Sequence, residues 1–256
     1  MNSVYGPVPS WRLGRSIGID PICSGSKICS FDCCYCQLGS TVHKTAEQQN
    51  FLSIAKLKDD LHDFGSMDNA DAVTLSGTGE PTLAGNLGEI VDVLREHTRL
   101  PIAVLTNSTF LNDDNVRKIL RKTDIVVAKL DAPDSRLMRM INSPAEGCGF
   151  DEVLEGIRSF RRVFKGRLAL QMMFIEMNKG LGWEMANIAQ EIGPDEVQIN
   201  TPLRPCRVGH LDIEQLGSIK KHFEGQNVIS VYDRGKPFVE AGDKNEILRR
   251  RGIVES

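Results

Sequence analysis

Residues 71–82 read DAVTLSGTGEPT. Ala72, Val73, Thr74 and Leu75 make a short β-like run that stops at Ser76-Gly77. A polar, glycine-rich turn follows, and then LGEIVDVLREH (87–97), whose apolar residues fall on a helical stripe. This unit of strand, polar turn and helix recurs in both directions. Before it, SIGIDPI (16–22) reads as a strand and LSIAKLKDDLHDF (52–64) as a helix. After it come LPIAVLTN (100–107) with NDDNVRKILRK (112–122), and DIVVAKLDAP (124–133) with FDEVLEGIRSFRRVF (150–164). RLALQMMFIEMN (167–178) pairs with WEMANIAQEIG (183–193), and DEVQINTPLRP (195–205) with DIEQLGSIKKHF (212–223). NVISVYD (227–233) adds a last strand. Alternating strands and helices with short loops specify an α/β fold with a parallel sheet and outer helices. Six units are too few for a closed eight-unit barrel, which typically takes ~250 residues. A six-unit partial barrel or an open doubly wound sheet fits. No linker, repeat or low-complexity segment divides the chain. It reads as one domain over 1–256, with a core at about 16–224 and a short C-terminal extension at 225–256.

In either architecture ligands gather at the carboxyl ends of the strands. Those ends carry the unusual residues. The first strand leads into CSFDCCYCQ (29–37), the second into SGTGEPT (76–82), and the third into TNS (106–108). The fourth leads into KLDAP (129–133), the fifth into EMNKG (176–180), and the sixth into NTPLRPCR (200–207). Six polar segments on one rim predict a shared site.

Composition narrows the chemistry. Hydrophobic residues make up 41% and charged residues 25%, an ordinary soluble balance, and the net charge of −3 gives no global basic field for nucleic acid. No apolar run approaches the roughly 18–20 residues of a membrane span, and the N-terminus lacks a secretory pattern. A cytoplasmic location is expected, where thiols stay reduced and a disulfide framework is disfavoured. Four of the seven cysteines crowd into residues 29–36. Cys29-x3-Cys33-x2-Cys36 offers three soft thiolates on one loop, suited to zinc, copper(I) or iron–sulfur. With His43 the loop would make a zinc site. A 4Fe–4S cube takes one cysteine per iron, so three would leave one iron open for a ligand, with Cys34 as a spare.

The CSFDCCYC stretch resembles the CxxxCxΦC motif of the radical S-adenosylmethionine (SAM) superfamily, with Tyr35 at the aromatic position. Ser76-Gly77-Thr78-Gly79-Glu80-Pro81 is similar to that family's Gly-Gly-Glu segment, with Thr78 breaking the glycine pair. The opening, VYGPVPSWRLGRSIGIDPI, resembles an uncharacterised iron–sulfur branch distantly similar to the enzyme that builds the wybutosine base of tRNA.

The resemblance implies a partial (β/α)6 barrel and an oxygen-sensitive enzyme. Cys29, Cys33 and Cys36 would hold a 4Fe–4S cluster whose open iron chelates SAM. Reductive cleavage of SAM would give a 5′-deoxyadenosyl radical that takes hydrogen from a substrate. Gly77, Thr78, Gly79 and Glu80 would meet the methionyl ammonium, and Tyr35 would pack near the adenine. Asn107, Lys129, Asp131 and Asn178 follow strands at the rim and are expected near the ribose, carboxylate or substrate. Arg204 is expected at an anionic substrate group, and Cys206 as a hydrogen-atom donor. The implied partners are a flavodoxin- or ferredoxin-like electron donor and a substrate open between RNA, peptide and small metabolite. The competing expectation is a non-catalytic iron–sulfur or zinc-binding module that carries electrons or binds a partner.

Overall fold

The structure, a computed structural model, describes residues 1–239. Arg249-Arg250-Arg251, a basic run at the chain end, lies outside the described residues. In chain order the elements are β1 (Val4–Ser10), β2 (Gly14–Ile19), β3 (Ile28–Cys29), β4 (His43–Lys44) and α1 (Ile54–Phe64). Then come β5 (Ala72–Leu75), α2 (Leu87–His97), β6 (Ile102–Thr106), α3 (Asp114–Leu120), β7 (Ile125–Lys129), α4 (Ser135–Asn142) and α5 (Phe150–Val163). The chain continues through β8 (Arg167–Met173), α6 (Gly182–Ile192), β9 (Glu196–Asn200), α7 (Ile213–Lys220) and β10 (Val228–Ser230). One sheet runs in the order β1-β2-β5-β6-β7-β8-β9-β10, and β3 pairs with β4 apart from it. From β2 to β10 every neighbour is parallel, and each crossover carries at least one helix, as parallel pairing requires.

The two faces of the sheet differ because side chains alternate along each strand. Ile17 and Ile19, Val73 and Leu75, Val126 and Ala128, Leu168, Leu170 and Met172, and Val197 and Ile199 join the main apolar core with the helices. The opposite positions carry small or polar residues at Ser16, Gly18, Thr74, Ser76, Lys129, Gln171, Gln198 and Asn200, and apolar ones at Leu105, Ile125, Val127 and Met173. The helix side therefore supplies the hydrophobic stabilisation, at about 1.5–3 kcal/mol per large buried side chain. The interior side is left for polar chemistry. Leu13, Ala72 and Ala103, with Leu105 and Ile125, form a separate apolar group on this interior side.

The six expected units are present as β2, β5, β6, β7, β8 and β9 with their helices. The sheet extends beyond residues 16–224 on both sides, through β10 and through β1, which runs antiparallel to β2. Gly6, Pro7 and Pro9 hide β1 in the sequence, but an edge strand tolerates a missing N–H. The hairpin is close-packed. The Tyr5 ring crosses Gly18, where a Cβ would come within 2.1 Å of it. Helix α4 also escapes the sequence pattern, being only eight residues long, and it is capped by Asp134 accepting from Leu137 N at 2.8 Å.

Candidate cluster and cofactor site

The cysteine loop is mounted at both ends. Where β2 ends, the fully buried Asp20 carboxylate accepts from Ile22 N and Cys23 N at 3.1 and 2.9 Å, and from Thr78 N and Oγ1 at 3.1 and 3.0 Å. It thereby joins the start of the loop to the glycine turn after β5. Ile28 N donates to Thr78 O at 3.1 Å, and Ile28 O accepts from Glu80 N at 3.3 Å, so the residue before Cys29 is clamped by the same turn. Further along, Asp32 N donates to Asn142 O at 2.9 Å and Cys34 N to Ile141 O at 2.8 Å, docking the loop on the end of α4. Cys36 N donates to Cys33 O at 3.1 Å in a turn that folds these two cysteines back together.

The sulfurs receive amide donors. Cys29 Sγ accepts from Phe31 N at 3.5 Å and Asn107 Nδ2 at 3.7 Å, and Cys33 Sγ from Asn142 Nδ2 at 3.3 Å. Burial, then Glu80 and Cys33, push the Cys29 thiol up to about 12, and burial raises Cys33 as well. Such buried thiols ionise readily only beside a cation, and bound iron would supply one. Among the described residues no three Cys, His, Asp or Glu groups converge on a single metal ion. A cube asks for less convergence, since each thiolate binds its own iron. Soft donors, one tight loop and N–H groups on two sulfurs therefore fit an iron–sulfur cube better than one zinc ion. His43 is exposed, and in the parallel β3–β4 register Cys29 sits opposite Lys44, which turns His43 to the other face of the ladder.

The loop closes one end of a cavity of about 320 Å³ in the sheet interior. Tyr35, Cys36, Gly77, Lys129 and Arg204 line it. The Tyr35 hydroxyl donates to Asp131 and accepts from Lys129 Nζ at 2.7 Å and Asn142 Nδ2 at 3.2 Å. Lys129 also lies over the Tyr35 ring, 4.3 Å from its centre, and 3.9 Å from Asp131. Burial and the Asp131 charge hold the Tyr35 phenol well above its ordinary range. Asn142 thus links Cys33, Tyr35 and Asp131, the last at 2.8 Å. Sequence reasoning passed over Asn142 because its helix was not recognised.

The other expected residues stand behind the cavity wall and brace it. Glu80 is 3% exposed. Its carboxylate accepts from Thr82 N and Oγ1, Thr106 Oγ1 and Asn107 N at 3.1, 2.7, 2.7 and 2.6 Å. Burial raises its pKa, and these four donors pull the other way. Thr78 holds Asp20, and Gly79 lies against Ile28. Asn107 donates to Ser30 Oγ at 2.8 Å as well as to Cys29. Asp131 Oδ1 accepts from Met173 N at 2.9 Å, and Asn178 Nδ2 donates to the carbonyls of Asp131 and Met173, each at 2.8 Å. Cys206 donates to Val208 O at 3.0 Å and packs with Cys33 and Cys34 around Tyr35, Ile141, Met173 and Ile175. The loop after β9 also grips the cysteine loop: Arg204 donates to Gln37 at 2.9 Å, and Arg207 to the carbonyls of Asp32 and Cys33.

Because four donors close on Glu80, Glu80→Gln places an amide N–H against at least one of them. A loss of about 2 kcal/mol in urea unfolding is expected. An unchanged midpoint would show that the carboxylate does not brace the turn.

Residues 24–187 match the radical SAM superfamily, and the chain belongs to that family. Its parallel sheet and outer helices are the family's partial barrel. It is an enzyme whose chemistry depends on SAM, and the family implies an iron–sulfur cluster as a second cofactor. UPF0026 protein slr1464 of Synechocystis is 42% identical over 209 residues, which are 79% of this chain and 76% of that protein. UPF0026 protein MJ1312 of Methanocaldococcus jannaschii is 37% identical over 80% of this chain and 65% of its own length. Among solved structures, TYW1 with a lysine-pyruvate adduct bound, a wybutosine synthase, superposes with a TM-score of 0.63 over 83% of this chain and 74% of that one. At 15% identity this is a likeness of fold. No helix among the described residues is long and apolar enough to cross a membrane.

Proposed function

We propose that the protein cleaves SAM reductively at a 4Fe–4S cluster held by Cys29, Cys33 and Cys36, and that the product radical abstracts hydrogen from a substrate in the barrel cavity. A cluster bound by these three thiolates would supply the one electron that cleaves the C5′–S bond of SAM, giving methionine and, once a substrate hydrogen atom is taken, 5′-deoxyadenosine. The observation that carries this reading is the meeting of Cys36 and Tyr35 with Gly77 on the wall of one polar cavity. The chain's own residues hold and shield. Asn107 and Asn142 donate to two ligand sulfurs, which favours the thiolate form and tunes the cluster. Lys129 and Asp131 fix the Tyr35 ring, an apolar surface against which a nucleoside base can pack. Glu80, Thr78, Gly79 and Asn178 shape this wall from behind. Cys206 serves as a hydrogen-atom donor only if its loop opens, since its thiol is bound to Val208 O.

The reductant in this reading is a flavodoxin- or ferredoxin-like protein and the setting is the cytoplasm, where thiols remain reduced. The likeness to TYW1 keeps a tRNA base among the substrates, beside peptides and metabolites. Anaerobic reconstitution with iron and sulfide tests the proposal. SAM is expected to shift the electron-spin spectrum of the reduced cluster, and dithionite with SAM to release 5′-deoxyadenosine. A spectrum indifferent to SAM, or zinc bound in place of iron, would favour the electron-carrying or metal-knot module.

A further inference from the structure

Two nitrogens in the sheet interior have hydrogens to give and no acceptor. Arg12 stands in the turn between β1 and β2, and its Nε is buried without a partner. Gln171 stands on the interior face of β8, 6% exposed, and its Nε2 is likewise buried and unpartnered. Both residues line the cavity that the cysteine loop closes. Gln198 Oε1, on the residue paired with Gln171 across β8 and β9, is also unpartnered and accepts from neither donor. Buried donors in a native protein are nearly always satisfied, so two that line one cavity without an acceptor point to one that enters from outside. Charge points the same way. Arg12, Lys129, Arg204 and Lys236 line this cavity, and among the described residues no Asp or Glu does. Lys129 is engaged by Tyr35 and Asp131, and Arg204 by Gln37. Arg12 is held differently, by its own neighbour: its guanidinium lies over the Trp11 ring, 5.1 Å from the centre.

We propose that Arg12 and Gln171 form an oxyanion subsite that binds a phosphate or carboxylate group of the substrate. The subsite extends the cavity away from the cluster wall, so the substrate is a molecule with an anionic end anchored at Arg12 and its reacting C–H turned toward Cys36 and Gly77. A guanidinium offers parallel N–H donors that match carboxylate and phosphate oxygens, and the Gln171 amide adds a neutral donor. Burial, then the Arg204 charge, push the Arg12 pKa down to about 10, while Glu196 acts in the opposite sense. Arg12 thus stays cationic at neutral pH, and a bound anion relieves both strains. Glu196 is itself buried and accepts from Gln198 Nε2 at 2.7 Å, which keeps it out of the cavity lining.

The assignment of this anion to a substrate rests on the radical reading above; the subsite itself does not. Pyrophosphate, inorganic phosphate and succinate, each titrated calorimetrically into the full chain, test it. At least one is expected to bind, and the preferred probe tells a phosphate ester from a carboxylic acid. Arg12→Gln is expected to weaken that binding tenfold or more, and Gln171→Leu threefold or more. If Arg12→Gln does not fold, Gln171→Leu carries the comparison. Binding by none of the three probes, or unchanged affinity in the folded variants, overturns the proposal. If SAM leaves the wild-type cluster spectrum unchanged while pyrophosphate still binds through Arg12, the radical reading falls and the subsite stands.

Discussion

Cys33→Ala abolishes 5′-deoxyadenosine formation, and Cys34→Ala keeps most of it: this is the outcome expected of two cysteines that share a peptide bond. Their surroundings differ. Cys33 Sγ accepts from Asn142 Nδ2, and its carbonyl turns Cys36 back toward it. Burial raises its thiol, a penalty that iron coordination would remove. Cys34 is half-buried in a small cluster with Cys206 and Val208. Burial and the neighbouring Cys33 raise its thiol to about 11, while Arg207 offsets them in part. In that setting it behaves as a small apolar side chain that alanine replaces well. Losing a direct ligand is expected to exceed the roughly 10–100-fold losses that outer partners of metal sites produce. Iron and sulfide per chain after anaerobic reconstitution, read with the 5′-deoxyadenosine yield, separate the two variants. Comparable losses in both would put the cluster on a different set of sulfurs.

The sequence carried the parts of this protein that depend on local pattern. The stripes of α1, α2 and α5, the apolar runs of the central strands and the spacing of Cys29, Cys33 and Cys36 are all short-range signals. What it could not carry are pairings between distant residues. Asp20 looks like a strand-end carboxylate until Thr78, 58 residues away, turns up on it. Glu80 reads as a carboxylate free to meet a ligand, and nothing local reveals that Thr106 and Asn107 will close on it. Asn142 is invisible for the same reason, since its three partners lie at 33, 35 and 131. Arg12 belongs to the opening stretch that carries the family resemblance, but its place in the cavity is hidden because its turn joins β2 to a proline-bearing edge strand that periodicity does not find. The cavity wall was legible as a set of rim segments. The division within it, between residues that line the cavity and residues that brace them, required the fold.

Gly79→Ala is expected to cost about 3 kcal/mol or more and to abolish loading of the proposed cluster. A Cβ at residue 79 would lie 1.7 Å from Ile28 O and 2.8 Å from Ile28 C. The obstacle is backbone, so no rotamer relieves it, and β3 has to move. Moving it breaks Ile28 N to Thr78 O and Glu80 N to Ile28 O, the two hydrogen bonds that seat the residue before Cys29. Cys29 then loses its position relative to Cys33, and the proposed cube, held by protein at three corners, would lose one of them. Gly180→Ala is the matched control. A Cβ there meets nothing within 4 Å, and the change is expected to stay within about 0.5 kcal/mol with full iron loading. Urea midpoints and iron content of the two variants make the comparison. A Gly79→Ala protein that unfolds like wild type and still binds iron would mean that the turn after β5 does not set the position of Cys29. The glycines of that turn would then be read as room for a ligand, where here they are read as room for the cysteine loop.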